Sequence, residues 1–586
     1  MKTKVTRIYC ISMLLFMTLF ICAACGIKNS ENNTYMDLSK YFNIEDIGGN
    51  TSCAIVIDNN IMGLGIIKGE DGIYIPYDIV RSKINKKFYV DDIENLVIYT
   101  TPDEIIDSEI GSTSYEKNSV KQSFEKATSI KVDDVVYISF DYCLLMSNNV
   151  KYEIAENPNR LVICTTLNNT LIEVNDDGKL RYEPDSMSEI LLDIKKGETL
   201  YFVDDAGEYS KVANKTGITG YVKNEILGDR TEKFIELYYE SMVYEHTVRD
   251  YKICLGWHQL GSSADNGSLN DLVSETKGLN VVSPTWYQIS DANGNFTSLS
   301  SKSYVDMAHS MGMEVWGLIS DFNYDDENNI YYINEVLSKT SSRRELISNL
   351  LLEVSATGMD GINIDFEKIS STYGEAYIQF IRELSIECRE RDIVLSVDMY
   401  VPIASNMYYD RTSVGEAADY VIVMGYDEHW AGCGQAGSTA SINFVTSGIT
   451  DTLMEVEASR VINAIPFYTR IWSETPEELS DEDDEIIEDS IFGNYSLDSF
   501  AVGMGTAKRY VNEHSANIVW LEDLGQYYAE YKEEGITYRI WLEEQESIRK
   551  KIEVMKEYNL GGVACWKLGL EINDIWEIID EYVNGQ

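Results

Sequence analysis

Asp360-Gly-Ile-Asn-Ile-Asp-Phe-Glu367 is the stretch on which the fold turns. In a strand, alternate side chains share a face. Asn363, Asp365 and Glu367 therefore point one way, and Ile362, Ile364 and Phe366 the other. That pattern suits a strand of a parallel barrel, with its acids facing the interior and its apolar side under helices. Burying acids side by side is costly unless they share a proton or strong hydrogen bonds. Like charges in close quarters push a carboxyl pKa upward, which is what a general acid near neutral pH requires. Glu367 comes last, at the C-terminal end of the strand, where the active sites of such barrels lie.

Working outward, apolar strand-like runs alternate with amphipathic helical stretches. Candidate strands are 252–257, 279–284, 313–319, 361–366, 393–399, 420–426, 461–467 and 562–566. Helical stretches such as 301–311, 342–356 and 374–391 lie between most of them. Eight such units predict an α/β fold, a (β/α)8 TIM barrel over 248–586. After the seventh strand, the acidic run 473–490 reads as a solvated loop, and 500–541 as part of the same insertion.

Ahead of the barrel the pattern is different. Residues 49–166 and 169–228 show short β-rich runs bounded by turn residues, which predicts two small β-rich modules. The first, with Gly72-Ile-Tyr-Ile-Pro-Tyr-Asp-Ile-Val and Asn95-Leu-Val-Ile-Tyr-Thr-Thr, resembles the copper amine oxidase N-terminal-like module, which is neither catalytic nor copper-binding. The second, with Gly217-Ile-Thr-Gly-Tyr-Val, resembles the closing part of a bacterial SH3-like domain. Residues 26–48 are polar and read as a tether. At the N-terminus, Lys2, Lys4 and Arg7 precede an apolar run and then Ala23-Ala-Cys25-Gly. This is the pattern of a secretory signal. It resembles a lipoprotein signal over 1–25, with Cys25 as the lipidated residue; a plain signal peptide cut nearby is the other reading.

The chain has 97 acidic and 48 basic residues, a net charge of −49. That argues against nucleic acid, which a polyanion repels, and against an electrostatic grip on anionic lipid. The cysteines are scattered, with no metal-like spacing and no disulfide framework. His258 and His429 flank strand ends without ligand spacing and read as hydrogen-bonding side chains.

The 360–367 stretch resembles the Asp-x-x-Asp-x-Asp-x-Glu signature of glycoside hydrolase family 18, the chitinase family. Asp360, Asp365 and Glu367 match, Asn363 replaces the second Asp, and Phe366 replaces a common Trp. Asn at 363 is similar to a bacterial branch that resembles spore-cortex lytic enzymes. Met424-Gly-Tyr-Asp427 ends the sixth strand as the family's Met-x-Tyr-Asp does, and Trp566 ends the eighth. The resemblance implies that Glu367 is acid/base and that Asp365 and Tyr426 hold the substrate's acetamido group. Asp360, Asn363, Met424 and Asp427 would belong to the same substrate site, and Trp566 would floor the pocket. For Trp286, Tyr287 and Arg470, sugar contact and core packing both remain open. The implied reaction is substrate-assisted and retaining, an exception to the two-carboxylate route, and needs no metal or cofactor.

The expected substrate is a polysaccharide with N-acetylated sugars, cut beside N-acetylglucosamine, with peptidoglycan first and chitin or N-glycan cores as alternatives. A non-hydrolytic sugar-binding protein is the alternative of another class. The expected location is the outer face of a bacterial cytoplasmic membrane or its cell wall, held by a lipid anchor only.

Overall fold

The computed structural model describes residues 31–69, 72–147, 150–166, 168–234, 243–476 and 495–585. The signal region with Cys25, and 477–490 of the acidic run, lie outside them. Among the described residues no helix is long and apolar enough to cross a membrane. The chain forms two compact units, Met1–Phe88 with Ser108–Tyr115 and Lys121–Ser241, and Tyr89–Asp107 with Glu116–Val120 and Met242–Gln586.

The first unit holds two seven-stranded sheets. In one, Thr51–Ile57 runs between Asn60–Ile67 and Arg160–Cys164. In the other, Asn168–Val174 pairs with Thr199–Ala206 and Leu227–Phe234. Ala54 and Val56 share one core with Ile172, Val174, Leu180, Leu200, Val212 and Val222. Burial therefore crosses the point near 167 where the sequence pattern changes.

The second unit is a closed barrel of eight parallel strands: β1 (Ile253–His258), β2 (Val281–Pro284), β3 (Glu314–Ser320), β4 (Gly361–Asp365), β5 (Val394–Tyr400), β6 (Tyr420–Met424), β7 (Val461–Pro466) and β8 (Gly562–Trp566). Each pairs with the next, and β8 pairs with β1 to close the ring. The predicted strands fall on these eight within about two residues at each end. Side-chain alternation divides the core in two. Leu255, Trp257, Trp316, Leu318, Ile422 and Ile462 fill the interior. Ile362, Ile364 and Phe366 of the β4 region pack outward with Phe380, Ile381 and Leu384, which lie on helix α2 (Gly374–Arg389) beside helix α1 (Thr340–Thr357).

After β7 an antiparallel five-stranded sheet and the helix Met504–Glu513 are inserted. The strand Tyr468–Pro476 pairs with Tyr495–Gly503, so 473–476 is strand and not the loop its acidity suggested. Its buried residues Ile471 and Trp472 anchor it, and Glu474 pairs with Arg539 at 3.1 Å.

Candidate active site

The ladder between β3 and β4 ends at the pair Ser320–Asp365. Beyond it the strands splay and open a cleft of about 570 Å³ at the C-terminal end of the barrel. Of the residues proposed from sequence, Trp286, Tyr287, Asp365, Glu367, Met424, Tyr426, Asp427 and Trp566 all line it. Three do not. Asp360 precedes β4 and stands at the opposite end of the strand, where its Oδ2 accepts from the Val315 amide and pairs with His309 Nε2 (both 2.8 Å). Asn363 is fully buried below the cleft. Arg470 lies in the insertion, where its Nη1 donates to Ser499 Oγ at 3.1 Å.

Asn363 has every polar atom engaged. Its Oδ1 accepts from Trp257 Nε1 (2.9 Å) and Ser283 Oγ (3.0 Å), and its Nδ2 donates to Asp398 Oδ1 (2.8 Å). Asp398, from β5, lines the cleft beside Asp365 and was missed from sequence. Burial drives the Asp365 carboxyl well above the carboxylate range, and the nearby charges of Asp398, Glu367 and Asp321 add to this. Burial raises Asp398 as well, while the amide of Asn363 opposes it. Two such neighbours cannot both ionise cheaply, so the pair titrates as a unit that retains a proton.

Tyr400 was also missed. It is two residues past Asp398, on the same face of β5, and its hydroxyl donates to Glu367 Oε2 at 2.5 Å. Burial, followed by the charge of Glu367, holds the proton on Tyr400, which keeps it a donor. Tyr468 donates to Asp427 Oδ1 at 2.5 Å, with its ring edge-on to Tyr426. Burial keeps Tyr426 protonated too, so it can present an O–H to an oxygen in the cleft. Trp257 and Trp566 meet edge to face with centroids 5.6 Å apart, an apolar floor that a pyranose ring can cover. His258 is spent on Tyr304 and Ser268, and burial lowers it to about 4. Among the described residues no cluster of His, Cys, Asp and Glu is arranged to hold a metal ion. The cleft thus brings together the Glu367 carboxyl, the Asp365 carboxyl, the Tyr426 hydroxyl and the Trp566 ring.

Comparison with known proteins bears on this cleft. The profile of the family described as "Glycosyl hydrolases family 18" matches residues 301–571. The "Uncharacterized glycosylase YvbX" of Bacillus subtilis is 24% identical over 329 residues, covering 54% of this chain and 89% of that one. The "Cortical fragment-lytic enzyme" of Bacillus anthracis is 22% identical over 255 residues, 42% of this chain and 55% of that one, so the match takes in about half of that relative. Among solved structures, the spore cortex-lytic enzyme SleL of Bacillus cereus aligns with a TM-score of 0.48 at 18% identity, covering 60% of this chain and 77% of that one. The match spans β3 to β8 and takes in Asp365, Glu367, Tyr426 and Trp566: the chain carries a glycosyl hydrolases family 18 domain.

Proposed function

We propose that this protein hydrolyses the β-1,4 bond beside N-acetylglucosamine in peptidoglycan, with retention and with the substrate's own acetamido oxygen as nucleophile. The observation that carries this reading is the convergence of Glu367, Asp365, Tyr426 and Trp566 on one cleft. Glu367 gives its proton to the leaving oxygen as the C–O bond breaks, and then takes a proton from the incoming water. Asp365, backed by Asp398, holds the acetamido N–H as positive charge develops. Tyr426 holds the acetamido oxygen in line. Both contacts tighten as charge builds, so they favour the transition state over bound substrate.

Two cations at the rim favour a carboxylated glycan over chitin. Lys567 follows Trp566 and donates to Gln259 Oε1 (2.6 Å), and Lys368 follows Glu367 and lies over the Phe322 ring (4.9 Å). Gln259 and Phe322 both line the cleft. Lys567 forms no salt bridge among the described residues, and Lys368 forms none either but lies close enough to Asp321 and Asp365 for its charge to oppose the rise of their carboxyls. The relative named as a cortical fragment-lytic enzyme supports the same substrate. Export and anchoring through Cys25 belong to this reading, resting on the basic, apolar and small-residue pattern before that cysteine.

The test is product analysis by mass spectrometry on purified peptidoglycan and on chitin oligomers, with Glu367→Gln alongside. Wild type should release fragments ending in reducing N-acetylglucosamine from peptidoglycan, and the variant should fold and bind without turnover. Cleavage of chitin alone would move the substrate to chitin; residual turnover by Glu367→Gln would remove Glu367 from the mechanism.

A further inference from the structure

Past Asp365 the chain leaves the β-ladder, and residues 366–370 have no strand partner. Side chains from neighbouring elements hold this segment instead. Tyr409 donates to the Phe366 carbonyl (3.0 Å) and Tyr408 to that of Ile369 (2.9 Å). Asn334 donates to the Lys368 carbonyl (3.0 Å) and accepts from the Ser370 amide (2.9 Å). The amide of Glu367 itself goes to Asp321. One carboxylate oxygen of Asp321 accepts from Glu367 N at 3.0 Å and the other from Lys368 N at 2.8 Å.

Asp321 is the first residue past β3 and is fully buried. β3 pairs with β4 only as far as Ser320, so no backbone carbonyl is on hand for these two amides. A carboxylate spanning consecutive amides fixes both peptide planes, and charge-assisted bonds of this kind are roughly twice as strong as neutral ones. Burial raises Asp321 to about 7, with the two amides opposing the shift and the charge of Glu367 adding to it. An asparagine would avoid that penalty but offers one acceptor oxygen for the two amides. The position therefore accepts an electrostatic cost and in return fixes the backbone of Glu367.

We propose that Asp321 is a positioning residue that aims Glu367 at the leaving-group oxygen, acting through the Glu367 and Lys368 amides without touching substrate. The proposal rests on the reading of Glu367 as general acid. Replacing Asp321 with Asn would turn an amide donor toward one of the two amides and release that peptide. A displacement of about 1 Å in a catalytic group can lower a rate on the order of 100-fold.

The experiment compares Asp321→Asn with wild type on two aryl glycosides of N-acetylglucosamine oligomers. One carries 4-methylumbelliferone, which benefits from protonation on leaving; the other carries 2,4-dinitrophenol, which leaves without it. For Asp321→Asn, kcat on the first should fall about 100-fold with KM within about twofold, and kcat on the second should fall less than about fivefold. Equal losses on both substrates would make Asp321 merely structural and overturn the proposal, as would unchanged kcat on both. If Asp321→Asn does not fold, Asp321→Ser, with room for a water against the amides, carries the same comparison. A wild type inactive on both substrates and on peptidoglycan would instead overturn the catalytic reading beneath the proposal, and one active on peptidoglycan alone moves the comparison of kcat and KM to that substrate.

Discussion

At the residue scale, the acids of the cleft should reveal themselves through stability. Asp365 and Asp398 hold a proton to higher pH in the folded chain than in the unfolded one. Above the ordinary carboxylate value of about 4, the folded state therefore binds more protons, and stability falls as pH rises through that window. Asp321, raised to about 7, contributes in the same direction between about 4 and 7. Asp398→Asn keeps an acceptor for Asn363 Nδ2 but removes one titrating partner. The fall in Tm from pH 5 to pH 8 should then shrink by a few degrees in the variant, since one pKa unit is worth about 1.4 kcal/mol. Self-repulsion from the net charge is nearly common to both proteins and cancels in the comparison. Equal falls in calorimetry would mean that Asp398 titrates alike in the folded and unfolded chain. Asp365 and Glu367 were legible from sequence because acids on one face of an apolar strand are rare. Asp398 and Tyr400 carried the same two-residue alternation at the end of β5, within Leu-Ser-Val-Asp-Met-Tyr, and could have been found by applying that test to every strand. Asp321 carried no such signal, because its role depends on where the β3–β4 ladder stops.

At the element scale, the barrel strands were readable because each is an apolar run followed by a helix. What caps the helices was not. Helix α1 begins after Lys339, which offers no capping side chain. Its first amides are met by acids some 250 positions earlier in the chain: Asp91 Oδ2 accepts from Thr340 N and Oγ1 (both 2.6 Å), and Glu94 Oε2 accepts from Ser341 N (2.9 Å). These bonds satisfy orphan donors and place negative charge at the positive end of the helix dipole. Asp91→Ala should cost about 1–2 kcal/mol, at the upper end for a lost cap because the site is buried, and chemical denaturation would read this as a lower midpoint with an unchanged slope. Glu94→Ala, at an exposed bond, should cost less. If both variants match wild type, the caps are ornamental and water replaces them.

At the scale of the whole molecule, these contacts bear on where the catalytic unit begins. The sequence pattern places the barrel from 248, and compositional change is a sound guide where a domain's core is continuous in sequence. Here the second unit also includes Tyr89–Asp107. Ile98 is fully buried in the same hydrophobic cluster as the residues of α1 and α2, and Leu96 and Ile105 pack against that cluster. Thr100 Oγ1 accepts from the buried Gln379 Nε2 (2.8 Å), Pro102 O accepts from Arg389 (2.5 Å), and the Arg343 guanidinium lies over the Tyr89 ring (4.7 Å). A chain starting at 243 would keep β1 to β8 and the cleft, but it would expose an apolar strip of α1 and α2 and leave Gln379 and the α1 amides to water. Such a fragment should unfold at a Tm several degrees below that of the full chain and bind a hydrophobic dye in its native state, even if its active site is intact. Co-expressing residues 31–234 as a separate chain should restore part of the lost Tm, because the strand can then dock in trans. A fragment as stable as the full chain, with no dye binding, would show that Tyr89–Asp107 only rests on the barrel and that the boundary read from sequence suffices.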